Sequence, residues 1–235
     1  MNSHTSTEFD DLMARAHELV VQMGSRVERQ LEDAVESLAS GSPALINQIL
    51  RHEAVINSLE RSIDELAGQI IARRQPTAGD LRFVLSAVGM TTDLERVGDE
   101  AKKIALQARK IFSDGNPAQP RTMELRRMAA IVQDMLRSAI ASLETLDPRS
   151  AVALARRDEE SDLVFQGVLR QLISFMIEDP RTITSCLDFL FVAKSLERIG
   201  DHARNVSEHV VYASLGKDVR HSTPEEIERE LRAAT

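Results

Sequence analysis

Four carboxylates hold the most suggestive chemistry in this chain. Glu95 and Asp99 stand four residues apart, and so do Glu197 and Asp201. On a helix that spacing puts both members of a pair on one face. Like charges so placed repel each other unless a cation lies nearby. Each pair sits in the same string of residues. Leu94-Glu95-Arg96-Val97-Gly98-Asp99 returns as Leu196-Glu197-Arg198-Ile199-Gly200-Asp201, 102 residues further on. Self-similarity at a fixed offset marks a duplicated structural unit.

Further oxygen donors stand on the preceding segments. Glu53 and Asn57 are four apart, and Asp158 and Asp162 hold the matching places in the second half. Each half then presents four oxygen-bearing side chains from two helices. Such sets suit magnesium, manganese, calcium or iron better than soft-ligand zinc sites. The candidate metal ligands are therefore Glu95, Asp99, Glu197, Asp201, Asp158, Asp162, Glu53 and Asn57. The carboxylates continue mainly apolar strips, Leu81, Leu85, Val88 and Thr92 in one half and Ile183, Leu187, Leu190 and Lys194 in the other. Partial burial of carboxylates is costly without pairing or a metal. A plain structural alternative stays open, in which Asp99 pairs with Lys102 or Lys103 and Glu197 with Lys194. Gly98 and Gly200 lie one turn from the Glu and leave room for a second backbone or a ligand. His202 points about 100° away from Asp201 and is not counted as a ligand. Arg96 and Arg198 are turned similarly far from the Glu, toward solvent or a partner.

The elements that carry these residues follow from hydrophobic periodicity and punctuation. Leu12, Leu19, Met23, Val27, Leu31 and Leu38 predict a helix over about 9–39, broken at Ser40-Gly41-Ser42-Pro43. A second runs to about Arg74, and a third covers about 80–112. Ser113 to Pro120, with Gly115, Pro117 and Pro120, is the best linker. A fourth helix covers about 122–145. Asp147-Pro148 opens a fifth, running to Glu178, and Asp179-Pro180 separates it from a sixth ending at Leu215-Gly216. Thr223-Pro224-Glu225-Glu226 caps a short tail helix. Helices of 25–30 residues with short connections pack as antiparallel bundles. The expected architecture is all-α, with two tandem three-helix bundles over residues 9–113 and 121–216 and a tail over 217–235.

Composition narrows the function. The 235 residues carry a formal net charge of -8, 43 % apolar residues and only 3 % aromatics. An acidic chain without stacking aromatics does not suit broad nucleic-acid binding. The single cysteine, Cys186, rules out an internal disulfide and a cysteine-based zinc set, and its apolar surroundings make it a core residue. Met90, Met123, Met128, Met135 and Met176 are expected to fill the core. The six histidines form no metal spacing, and surface or tail positions account for most of them. No signal-peptide core stands at the start and no run is long enough to span a membrane, so a soluble, cytoplasmic protein without direct membrane insertion is expected. No phosphate-cradling loop and no nucleophile elbow is present, so no enzyme is expected. Two rival readings are a carboxylate-metal enzyme, which needs an acid or base beside an open metal position, and a metal-storage protein.

Taken together, these motifs resemble the PhoU family, accessory regulators of high-affinity phosphate transport. The resemblance rests on both Leu-Glu-Arg-[Val/Ile]-Gly-Asp copies and on Gln75-Pro76-Thr77-Ala78-Gly79-Asp80-Leu81-Arg82 before the first. It rests also on His202-Ala203-Arg204-Asn205 after the second, and on the close Gly216-Lys217-Asp218-Val219-Arg220-His221. It covers about Phe9 to His221. It implies two three-helix bundles, a homodimer, and multinuclear clusters of iron, zinc, magnesium or manganese. Glu95, Asp99, Glu197 and Asp201 are the implied ligands, with Asp158, Asp162, Glu53 and Asn57 behind them. Asn57 stands where the second half has Asp162, and Lys103 where it has Asn205, so the second bundle is expected to be the stronger site. The resemblance further implies repression of the phosphate-starvation response, through contact with the phosphate ABC transporter ATPase subunit and a membrane sensor histidine kinase. A position at the inner membrane, peripheral and through those partners, goes with it.

Overall fold

The computed structural model describes residues 3–76, 78–113 and 123–234. Seven α-helices follow in order: α1 Ser3–Ser40, α2 Pro43–Arg74, α3 Ala78–Ser113, α4 Met123–Thr145, α5 Ala151–Glu178, α6 Ile183–Leu215 and α7 Pro224–Ala234. No strand occurs among the described residues. The predicted linker lies mostly outside the described residues, as does Thr77. α1, α2, α3 and α6 are longer than the expected 25–30 residues, at 38, 32, 36 and 33.

Local chemistry explains the boundaries. Gly41 takes a left-handed φ of +62° after α1. Ser42 then caps α2, with Pro43 in its first turn. Asp147 and Asp179 each accept the backbone N–H two residues on, from Arg149 and Arg181, at 3.0 Å. Each thereby starts a single 3-10 turn, Pro148–Ser150 and Pro180–Thr182, before its helix. Thr223 and Glu226 form a reciprocal capping box at the start of α7. The Thr223 N–H donates to Glu226 Oε2 at 2.9 Å and the Glu226 N–H donates to Thr223 Oγ1 at 3.3 Å.

Helices α1–α3 form one bundle and α4–α6 the other, and the most extensive contact in the molecule joins α3 to α6. Gly89 faces His209, Glu100 faces Arg198 and Lys110 faces Asp188, so α3 and α6 run antiparallel. One apolar cluster runs through both bundles, from Met23, Leu31 and Ile63 to Met128, Val192 and Leu196. The two repeats therefore share a core. Met90, Met128 and Met135 are buried in it, and Met176 packs against it. Met123 does not, being 77 % exposed at the start of α4, where no helix lies over it. Cys186 is buried and free, as its setting predicts.

The tail is part of the packed structure. Val219, Ile227 and Leu231 close a smaller apolar cluster over Ala151 and Ala155 of α5 and Val211 of α6.

The histidines correct the sequence expectation. His202 is 6 % exposed. Its Nδ1 donates to Asp93 Oδ1 at 2.8 Å across the α3–α6 contact. Asn205 donates to the same oxygen at 3.1 Å and His209 lies 3.2 Å from Oδ2. His17 on α1 lies 2.9 Å from the Leu143 carbonyl on α4. These three histidines join the bundles, which a single helix's periodicity cannot reveal. A Cβ on Gly89 would sit 2.4 Å from the His209 ring. Gly89→Ala is expected to push that ring off Asp93 and cost about 1–3 kcal/mol; urea unfolding at pH 7 checks it, and a cost near zero would contradict the close packing.

Candidate functional site

The site grows from the middles of α3 and α6. In the second bundle, Glu197 and Asp201 on α6 meet Asp158 and Asp162 on α5. Asp158 is 7 % exposed. Asp201 and Asp162 are themselves exposed residues, yet partial desolvation by the surrounding helices pushes the Asp201 carboxyl up to about 6, and the charges of Glu197, Asp158 and Asp162 add to the shift. The same desolvation raises Asp162 as well, helped by Asp158 and Glu197. All four predicted side chains of this half therefore share one electrostatic neighbourhood.

Two cations answer them. Lys194 Nζ lies 2.6 Å from Glu197 Oε2. Arg204 Nη1 donates to Asp158 Oδ2 at 3.1 Å. Two cations beside four carboxylates leave an excess of negative charge in the set.

The first bundle repeats the plan with substitutions. Burial raises Glu95, with Asp99, Glu60 and Glu53 adding to it. Lys102 pairs with Glu53 as Arg204 pairs with Asp158. Asn57 is half-buried on α2 and brings no charge. Glu60 is a member that sequence reasoning missed. It lies one turn beyond Asn57, where the second half has Phe165, so matching of repeat positions passes over it. Lys103 does not enter this set. It pairs at 2.9 Å with the buried Glu100, which also meets Arg198 at 3.3 Å. The cations beside the first set are Lys102, paired with Glu53, and Arg96, whose charge partly offsets the rise on Glu95. Asp99 therefore takes neither of its expected lysine partners, whereas Glu197 does pair with Lys194.

Two further expectations change. The strips that lead to the carboxylates face outward: Leu85, Ile183 and Leu187 are 50 %, 42 % and 41 % exposed. Gly98 and Gly200 admit side chains of their own bundle rather than another backbone. Ile56 stands 3.3 Å from a Cβ built on Gly98, while Met135 and Asp158 stand 3.6 and 3.8 Å from one on Gly200. Gln30 also reaches the Gly98 carbonyl at 2.9 Å.

A cleft of about 650 Å³ opens beside the second set. Asp158, Asp201, Glu208 and Asp93 line it together with Arg204, and the turn Arg220–Pro224 forms its far wall. The residues available to hold a cation here are Asp158, Asp162, Glu197 and Asp201. Among the described residues, no three histidine, cysteine or acidic groups converge on a ready-made metal cage. The donors fit a hard cation in type and charge, and ligation requires side-chain rotation from the present ion pairs.

One pH effect follows from the crowding. Because the folded-state value of Asp201 is raised, its protonation favours the folded state, and that advantage is lost as pH rises through about 6. Asp201→Asn is expected to be more stable than the metal-free parent at pH 7 by about 1–2 kcal/mol, after discounting for solvent screening. The difference should vanish near pH 4. Urea unfolding at both values checks it, and equal stability at pH 7 would count against the crowding.

The PhoU domain profile matches residues 20–108 and again 125–210, so both halves of this arrangement are recognised as copies of one domain. The chain belongs to the PhoU family. The phosphate-specific transport system accessory protein PhoU homolog of Pseudomonas putida is 40 % identical over 222 residues, covering 94 % of this chain and 86 % of that one. PhoU of Escherichia coli K12, likewise called a phosphate-specific transport system accessory protein, is 36 % identical over 98 % of this chain and 95 % of its own. The crystal structure of PhoU from Pseudomonas aeruginosa superimposes with a TM-score of 0.85 at 38 % identity, covering 89 % of this chain and 100 % of that one. The PhoU structure from Streptococcus pneumoniae gives 0.81 at 25 % identity, over 90 % and 99 %. The helical fold expected of a PhoU chain is the fold found. No helix is long and apolar enough to cross a membrane among the described residues.

Proposed function

We propose that this PhoU chain restrains phosphate uptake and the phosphate-starvation response when phosphate is plentiful. It acts as a cytoplasmic helical scaffold, a homodimer that meets the phosphate ABC transporter ATPase subunit and a membrane sensor histidine kinase. It works without catalysis of its own. What supports this reading is similarity over nearly the whole length to chains named as phosphate transport accessory proteins, with both repeats kept.

In the same reading, Asp158, Asp162, Glu197 and Asp201 bind a metal ion. Glu53, Glu95 and Asp99 do so in the first bundle, with Asn57 as a neutral oxygen donor. Iron, manganese, magnesium or zinc are the candidates, and the all-oxygen donors favour the harder ions. A cation held there would supply the positive charge that the crowded carboxylates lack, with Asp158 and Asp162 of α5 and Glu197 and Asp201 of α6 as its holders. The protein's residues do the rest: the paired acidic positions orient oxygens from two helices, and the shared α3–α6 core transmits their spacing to both bundles. The second set carries the greater charge, four carboxylates against three with Asn57, and is the stronger site. Glu60 brings a fourth carboxylate near the first set, which narrows that difference.

A phosphate-starvation reporter tests the function in phosphate-rich medium. Deleting the protein should raise output, and the parent chain should restore repression. Output unchanged by deletion, in a strain with no second PhoU gene, would overturn the regulatory reading.

A further inference from the structure

Arg204 hydrogen-bonds both the second carboxylate set and the turn that leads into the C-terminal helix. Its guanidinium donates from three nitrogens in three directions: to Asp158 Oδ2 at 3.1 Å, to Glu208 Oε1 at 2.9 Å and to the Ser222 carbonyl at 2.9 Å. These acceptors lie on α5, on α6 and in the turn before α7. The rigid five-donor fork of a guanidinium suits three acceptors spread over three elements. The side chain is 22 % exposed and Glu208 only 6 %, so the bonds are largely shielded from water.

The repeat supplies its own comparison. At the matching position the first bundle has Lys102, a single-point cation that pairs with Glu53. An ammonium there neutralises a carboxylate and does nothing more. In the second bundle the same task falls to an arginine, and its spare donor is spent on the tail. The turn it holds is the wall of the cleft beside Asp158 and Asp201. Its neighbours Val219 and Ile227 stay docked on α5 and α6 through apolar contacts. Between these two anchors, the short stretch Arg220–Thr223 meets Arg204 through the Ser222 carbonyl.

We propose that Arg204 couples cation binding at the Asp158, Asp162, Glu197 and Asp201 set to the seating of the Arg220–Thr223 stretch, between the docked Val219 and Ile227. The inference rests on the metal reading given above. A divalent cation and the guanidinium compete for the same Asp158 oxygen and repel each other. Cation entry turns Arg204 away, the Ser222 carbonyl loses its donor, and the cleft wall loosens. Absence of the cation restores the clamp. The coupling is reciprocal: whatever factor loosens the turn on metal binding also tightens metal binding when the clamp is removed.

Amide hydrogen exchange of the full-length chain, with and without saturating Mn²⁺, tests this. In the parent, Mn²⁺ should speed exchange over 218–226 by about 2- to 10-fold, the range expected for losing one hydrogen bond in a local opening. Arg204→Lys keeps the charge, as the first bundle does naturally, and removes the bridge. Its turn should exchange fast already, with no further response to Mn²⁺. Measured in a Glu95→Ala/Asp99→Ala background, Arg204→Lys should also bind Mn²⁺ about 2- to 10-fold more tightly. Lys102→Met should leave the tail response unchanged. Mn²⁺ binding with no change or with slower exchange over 218–226 overturns the coupling and leaves the metal reading standing. Failure of Mn²⁺ to bind at either set, seen by calorimetry, overturns both.

Discussion

Replacing Asp93 with Ala is expected to cost about 3–5 kcal/mol of folding stability. Asp93 sits at the α3–α6 contact and is 7 % exposed. Burial alone would raise its carboxyl. Hydrogen bonds from His202, His209 and Asn205 outweigh that and hold it well below the ordinary carboxylate range. Truncation leaves the buried donor of His202 and the part-buried donor of Asn205 without their acceptor. His202 has no second anchor, because its Nε2 is buried without a partner. The stabilisation from the Asp93 carboxylate is fully present above its unfolded value of about 3.9 and is lost as pH falls below it. Asp93→Asn keeps the acceptor oxygen and removes the charge, so it should fall between the parent and Asp93→Ala. Urea unfolding at pH 7, followed by far-UV circular dichroism, measures all three. A cost below about 1 kcal/mol for Asp93→Ala would mean that this network adds little to the joining of the two bundles.

The second large effect is on metal affinity. Glu197→Ala/Asp201→Ala is expected to weaken Mn²⁺ binding at the second site by at least about 100-fold, since loss of outer-shell partners alone costs about 10- to 100-fold. The pair supplies half of the four carboxylates, and both members come from one helix. Their removal leaves Asp158 committed to Arg204 and Asp162 near the surface. Glu95→Ala/Asp99→Ala should spare this site, because its ligands all lie in the other bundle. Calorimetric titration of metal-stripped protein separates the two variants. A loss below about threefold for Glu197→Ala/Asp201→Ala would remove these residues from the ligand set.

Much of this was legible in the residues. The repeat of Glu95 and Asp99 at Glu197 and Asp201 pointed to the carboxylate clusters described above, because duplication is a property of the string itself. Helix boundaries followed from Ser42-Pro43, Asp147-Pro148, Asp179-Pro180 and Thr223-Pro224, whose capping chemistry is local. Long-range pairing was not legible. The four-residue spacing says which carboxylates share a face. It does not say that Lys102 would choose Glu53 over Asp99, or Lys103 the buried Glu100. Glu60 was hidden because the repeats are not strict, with Phe165 at the corresponding place. His17, His202 and His209 were hidden for a related reason: each finds its partner on an element from the other half. The α3–α6 contact that buries two of them depends on how the bundles pack, and no single helix's pattern encodes that. The outward turn of Leu85, Ile183 and Leu187 has the same origin. Periodicity identifies an apolar strip and leaves open what covers it.

Metal content per chain, measured by elemental analysis after exhaustive dialysis without chelator, tests the central claim most directly. The parent should retain tightly held metal, and Glu197→Ala/Asp201→Ala should lose most of it while keeping its helical spectrum. Negligible metal in both proteins, together with no uptake on adding manganese or iron, would contradict the claim and leave the repeated carboxylates as ion-pairing groups of a helical scaffold.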